Sequence, residues 1–222
     1  MFDCMRVSEL FEPSRSLAWE YLAELEWPWD ALKSISNYIT ELGANLDKSE
    51  YSAMADDVWV HKTARVAPTA FIGARTIIGA DAEVRHCAFI RGNALIGDNV
   101  VVGNSTELKN VILFDRAQVP HYNYVGDSIL GFKAHMGAGA ITSNVKGDSS
   151  LVSVVCGSGR IKTELKKFGA VLGDYAEIGC NAVLNPGSVV GKNSNVYPLS
   201  MVRSFIPARS IYKKQGEIAE KV

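Results

Sequence analysis

The sequence predicts a left-handed parallel β-helix, an all-β prism of hexapeptide repeats with an N-terminal helical extension. Three observations predict it. From Val60 onward every sixth residue is apolar: Val60, Val66, Ile72, Ile78, Val84, Ile90, Ile96, Val102, Leu108 and Phe114, with a second run at Leu172, Ile178, Leu184, Val190, Val196 and Val202. Four places after most of these stands a small residue, as at Ala64, Ala70, Ala82, Ala88, Ala182 and Ser194. Directly after several stands glycine, as at Gly73, Gly79, Gly97 and Gly103. A period of six is neither helical nor that of a flat sheet. It fits a prism with three short strands per coil, each pointing one branched aliphatic side chain inward. The small residue then sits where the chain bends, and glycine eases the turn. Three hexads make a coil of about 18 residues, and coils stack at roughly 4.8 Å.

The repeat sets the domain boundaries. Residues 1–57 carry helix signals: Ser14–Leu25 and Asp30–Leu46 begin on Ser and Asp, Gly43 lies near an end, and Trp27-Pro28-Trp29 separates them. Two short helices packing on the prism are expected there. The prism spans 58–206. Residues from about 145 to 169 interrupt it with Gly, Ser and Lys, as an insertion loop or hairpin leaving the wall would. The tail, 207–222, is charged and reads as helical.

Composition narrows the function classes. With 23 basic and 24 acidic residues the net charge is −1, which points to neither nucleic acid nor an anionic membrane as partner. Cys4, Cys87, Cys156 and Cys180 form no CxxC pair, against a zinc ribbon or disulfide framework. The N-terminus lacks a signal-peptide apolar core and no apolar run is long enough to span a bilayer, so a cytoplasmic location is expected. The flat faces of such a prism expose aliphatic side chains, and packing faces around a threefold axis would hide them.

Chemistry concentrates in the middle coils. Arg91 and Lys109 each follow an inward aliphatic residue and are 18 apart, so they should stack on adjacent coils. Two cations at that spacing repel unless something negative intervenes. Glu107 or Asp127 could be that partner, or the pair could clamp a substrate phosphate, Arg as a fork and Lys as a point charge. Around Pro120-His121 the apolar series slips. A histidine there could act as a general base, or it is simply a wall residue.

Three strings carry a resemblance: Gly103-Asn104-Ser105-Thr106-Glu107-Leu108-Lys109-Asn110, Pro120-His121-Tyr122-Asn123-Tyr124-Val125-Gly126-Asp127, and Gly137-Ala138-Gly139-Ala140-Ile141-Thr142-Ser143-Asn144. Over residues 58–206 the chain resembles the acetyltransferase domain of bacterial bifunctional UDP-N-acetylglucosamine synthesis enzymes. The resemblance implies His121 as general base. Arg91, Lys109 and Tyr124 fall on contacts to the phosphate and sugar, and His135 replaces a sugar-contacting asparagine. Ala138, Asn144, Lys167 and Cys180 fall on acetyl-CoA contacts, Cys180 in place of a serine and Lys167 only once the insertion is removed. It also implies acetyl-CoA as co-substrate, with no tightly bound cofactor, and a homotrimer with sites between prisms.

Two departures stand out. After Asn144 the family has Tyr-Asp-Gly, whereas this chain has Val145-Lys146-Gly147 and then the insertion. Where the family has a nucleotidyltransferase domain with its glycine-rich phosphate loop before the prism, this sequence reads as the helical residues 1–57. In this the chain resembles shorter proteins of the UDP-N-acetylglucosamine pyrophosphorylase-like group. The expected reaction is direct attack of an amino-sugar phosphate, glucosamine 1-phosphate or a relative, on acetyl-CoA. One rival is a non-catalytic sugar-phosphate-binding or regulatory module. Another is a γ-type carbonic anhydrase, but after His86 and His121 its third zinc-binding histidine would fall on Gly126, so no metal site is expected.

Overall fold

The computed structural model describes residues 2–221. A left-handed parallel β-helix of about nine turns forms its body. Its three walls follow from the strand pairing. Wall I stacks Phe71–Ile72, Phe89–Ile90, the starts of Glu107–Leu113 and Tyr124–Leu130, then Ile141–Thr142, Val183–Leu184 and Met201–Val202. Wall II runs from Val58–His61 through Thr76–Ile78, Ala94–Ile96, the ends of the two long strands, Ala170–Leu172 and Ser188–Val190 to Phe205–Ile206. Wall III runs from Arg65–Val66 to Ser210–Lys214. An antiparallel hairpin closes each end, Tyr51–Ala55 on Val58–His61 and Glu217–Glu220 on Ser210–Lys214. The tail is therefore strand, not helix: Ile211 and Tyr212 continue wall III, and the Tyr212 ring plugs the prism end with its hydroxyl donating to the Met201 carbonyl at 2.8 Å.

The sixfold aliphatic residues fill the interior and Ala82, Ala88, Ala94 and Ala182 sit buried at the bends. Buried hydroxyls at bend positions bond to strand-end carbonyls, Thr76 to Gly73 and Thr106 to Val119. Among the described residues no buried side-chain polar atom lacks a partner. The glycines after the inward residues play a different part from the one expected. The left-handed bend falls elsewhere, on Asp81, Asn93, Asn99, Asn110 and Asn181 among others, and Asn and Asp tolerate that conformation best after glycine. Gly73, Gly79, Gly97 and Gly103 instead let the next coil approach: a Cβ on Gly73 would lie 2.3 Å from the Arg91 carbonyl oxygen.

The register also departs from strict sixes. Leu108 pairs with Ile90 eighteen residues back, whereas Leu113 pairs with Ile96 seventeen back. One residue is missing at the Lys109-Asn110 bend. Leu113 therefore points inward, and Phe114 turns out under the extension, where it stacks on Phe11 at 4.6 Å.

The extension covers wall II. Outside its strands runs the column Ile77, Leu95, Ile112, Ile129, Val171 and Val189, all fully buried. Over it lie the helices Val7–Leu10, Trp19–Ala23 and Ile35–Ala44 and a 3-10 turn, Pro28–Lys33. They are shorter than expected, because Pro13-Ser14 delays the first and Ser34, at φ −130°, splits the second. Gly43 lies inside Ile35–Ala44 and admits the Trp59 ring rather than ending the helix. The insertion is a hairpin, Ser153–Cys156 with Gly159–Lys162. Its Val152 and Val154 pack beside Val189 and Phe205, extending the same cover.

Two aspartates at the bend between walls II and III fasten the extension, Asp174 by its carboxyl and Asp115 by its backbone N–H. Asp174 accepts the Glu12 N–H at 2.6 Å and the Phe132 N–H at 2.7 Å. Asp115 accepts the Asp98 N–H, and its own N–H reaches the Arg15 carbonyl. Burial pushes both carboxyls up to about 6 against these hydrogen bonds; at Asp115 the Asp98 charge adds to the rise and Arg15 and Arg116 oppose it. The folded state thus holds more protons than the unfolded chain between about pH 4 and 6, so stability falls as pH rises through that window. Tm is expected to be higher at pH 5 than at pH 7.5, and Asp115→Asn, which keeps the acceptor oxygen, should narrow the gap. Equal gaps in variant and wild type by scanning calorimetry would refute the assignment to Asp115.

Candidate functional site

Two bends frame wall I, and the residues singled out in the sequence divide between them. The bend from wall I to wall II carries Arg91, Lys109, Asp127 and Asn144 on successive coils. Lys109 Nζ lies 2.8 and 3.1 Å from the two Asp127 carboxylate oxygens. Asn110 donates to the same carboxylate at 3.0 Å and Asn144 also donates to it. Asp127 is 5% exposed and Lys109 25%, so this is the better shielded pair. Arg91 Nη1 meets Glu107 Oε1 at 3.0 Å, in a pair open to solvent. Both partners that the sequence offered are thus in use, one for each cation.

Tyr124 starts the wall I strand beside Glu107, and its hydroxyl accepts from Asn144 Nδ2 at 3.3 Å. Burial pushes this phenol up, which keeps it a neutral hydrogen-bonding group. Gly126 makes room for the pairing: a Cβ there would stand 2.6 Å from the Tyr124 hydroxyl and 2.8 Å from Asn144 Nδ2. The insertion re-enters at this bend, where the Phe168 N–H reaches the Asn144 carbonyl, Phe168 is buried 5.8 Å from Trp29, and Lys167 is exposed.

The bend from wall III to wall I carries His121, then Ala138-Gly139, then Cys180-Asn181. The Gly139 N–H reaches the His121 carbonyl and the Asn181 N–H the Ala138 carbonyl. His121 is exposed, as is Cys180. What fixes His121 is Asn123, a residue sequence reasoning passed over. Its buried amide accepts the His121 N–H at 3.1 Å and donates to the Gly137 and Ala140 carbonyls at 2.9 and 3.0 Å. It thereby holds the tight bend in which Tyr122 is left-handed. Asn123, Asn110 and Gly126 all lie in the strings quoted above, beside the residues that were chosen.

His135 joins neither bend. It opens a wall III strand beside Gln118, and its Nδ1 lies 2.8 Å from Glu177 Oε2. His86 meets Thr69 Oγ1 and His61 meets Glu50. Among the described residues no three His, Cys, Asp or Glu side chains gather as for a metal ion, and no helix is long and apolar enough to cross a membrane. Wall I also presents Phe71, Phe89 and Met201 to solvent in line with Glu107 and Tyr124.

Comparison with known proteins points the same way as the motifs. A family model described as the GMPPB C-terminal domain matches residues 80–172. The bifunctional protein GlmU of Methanococcus vannielii is 37% identical over 119 residues, 53% of this chain and 28% of its own. That of Methanococcus maripaludis strain S2 is 30% identical over 200 residues, 89% of this chain and 48% of its own. The chain thus spans between about a quarter and a half of these relatives. Among solved structures, a hexapeptide transferase family protein from Anaplasma phagocytophilum is 16% identical with a TM-score of 0.43, covering 74% of this chain and 80% of that one.

Proposed function

We propose that this protein is an acetyl-CoA-dependent N-acetyltransferase acting on an amino-sugar phosphate, glucosamine 1-phosphate or a close relative. The observation that carries the reading is an exposed imidazole, His121, at the bend that enters wall I, with the Lys109 and Arg91 ion pairs at the bend that leaves it, three wall residues or roughly 10 Å apart. A hexosamine phosphate laid along wall I would put its phosphate at Lys109 and Arg91 and its amine toward His121. Tyr124 orients the ring between them. His121 takes the proton as the amine attacks the thioester carbonyl, the new C–N bond forms, and the coenzyme leaves as thiolate. A backbone N–H near Ala138, on the coil next to His121, would polarise the donor carbonyl. The GlmU relatives support the acyl-transfer class. The test is thiol release from acetyl-CoA against a panel of amino-sugar phosphates.

His135 and the altered stretch after Asn144 favour a second reading, a module that binds the sugar phosphate without turning it over. Phosphate entry would have to displace Asp127 from Lys109. In either reading Lys109→Ala is expected to weaken a sugar 1-phosphate by at least tenfold relative to the unphosphorylated sugar. Equal losses for both, by calorimetry, would return Lys109 to a purely structural pairing with Asp127.

The working unit in this reading is a homotrimer. Wall II is covered, and a second prism packed on wall I would bury the exposed Phe71, Phe89 and Met201. Light scattering at micromolar concentration should give three times the 24.1 kDa chain mass; a monomer would overturn this.

A further inference from the structure

The insertion hairpin has a second face. Val154 and Ile161 pair across it and turn to wall II, so Val155 and Arg160, the next pair, turn away. On that side the hairpin, the segment 145–148 and the wall I to wall II bend at Asn185 and Arg203 border an open cavity of about 630 Å³. Three cations line it: Lys146, Arg160 and Arg203. Its one carboxylate, Asp148, lies 3.6 Å from Lys146 and accepts from Ser150. Neither guanidinium has an ion-pair partner among the described residues. The contrast with the bend above is direct, since there both cations are neutralised.

Two unpaired guanidinium forks and an ammonium around one space repel one another until an anion enters. The volume exceeds what a lone inorganic ion needs and lies in the range of small-molecule sites. Val155 and Pro186 add apolar wall beside the cations, suited to an attached organic group. The bend itself sets the reach: Ser143 borders the cavity next to Asn144, Asn185 is one coil on and Arg203 two, so Arg203 lies roughly 10 Å beyond Asn144 along the prism.

We propose that this cavity binds the diphosphate of a nucleotide-bearing ligand through Lys146, Arg160 and Arg203. The assignment stands on the cavity and its charges and does not require acetyl transfer. Two ligand classes carry that group, a coenzyme A thioester and a nucleoside-diphosphate sugar. Calorimetric titration of the full chain with inorganic pyrophosphate, coenzyme A and UDP-N-acetylglucosamine separates them. Arg160→Gln with Arg203→Gln is expected to weaken pyrophosphate at least tenfold. Both arginines are exposed, and thermal melting would check that the double variant folds. A matching loss for coenzyme A alone assigns the site to the donor, and a loss for the UDP-sugar alone assigns it to a nucleotide-linked acceptor. Wild type that binds none of the three, or binds them as the double variant does, overturns the proposal.

Discussion

Alanine at His121 is expected to lower kcat for acetyl transfer by ~10²-fold or more while leaving acetyl-CoA affinity nearly unchanged, the signature of losing a general base rather than a binding group. The same variant should melt within about 0.5 kcal/mol of wild type, because an exposed side chain away from the core contributes little to stability. Asn123→Ala supplies the control: it leaves the imidazole in the chain but removes the amide that fixes its backbone, so both activity and stability should drop. If His121→Ala turns over at the wild-type rate, the imidazole has no part in the proton transfer.

The largest structural effect is expected one coil above. A Cβ on Gly103 would lie 1.5 Å from the carbonyl oxygen of Pro120, closer than any flexible neighbour could relieve, because both partners are backbone. Gly103→Ala must push apart the coils that carry Asn104 and His121, which are register partners. A loss of roughly 3 kcal/mol, the upper end of what overpacking costs, is expected by denaturant unfolding. Gly147→Ala, where nothing lies within 4 Å of the added carbon, should be close to neutral. Similar midpoints for the two variants would mean that the coils separate freely, contrary to the close packing described.

The prism was legible because its signal is periodic and repeated: one inward aliphatic residue per strand, with a small residue at each bend. Where the period breaks, that signal misleads. Leu113 and Phe114 are both apolar, and strict counting picks Phe114; only the seventeen-residue coil, set by a bend one residue shorter at Asn110, makes Leu113 the inward one. The site was legible in its residue types but not in its pairing. Glu107 and Asp127 were equally good partners on paper, and only the stacking of Asp127 under Lys109 and Asn110 decides. The tail misled for a different reason. Its charged residues alternate with Ile211, Ile218 and Ala219 on an added hairpin, a pattern too short to tell from a helical turn.

The cover on wall II has a consequence for how the molecule comes apart. In a bare stack each coil touches only its neighbours, so melting can begin at either end and advance one coil at a time. Here the outward side chains from Ile77 to Val189 lie beneath one sheath of helices and hairpin, with Trp29 against Phe168 where the two meet. Loosening a middle coil means lifting the sheath from several others as well. Coils that would otherwise behave as a nearest-neighbour chain are tied into one cooperative unit. Stepwise fraying is left to the end hairpins, outside that column, and the bends that carry His121 and Lys109 keep their spacing until the whole array opens.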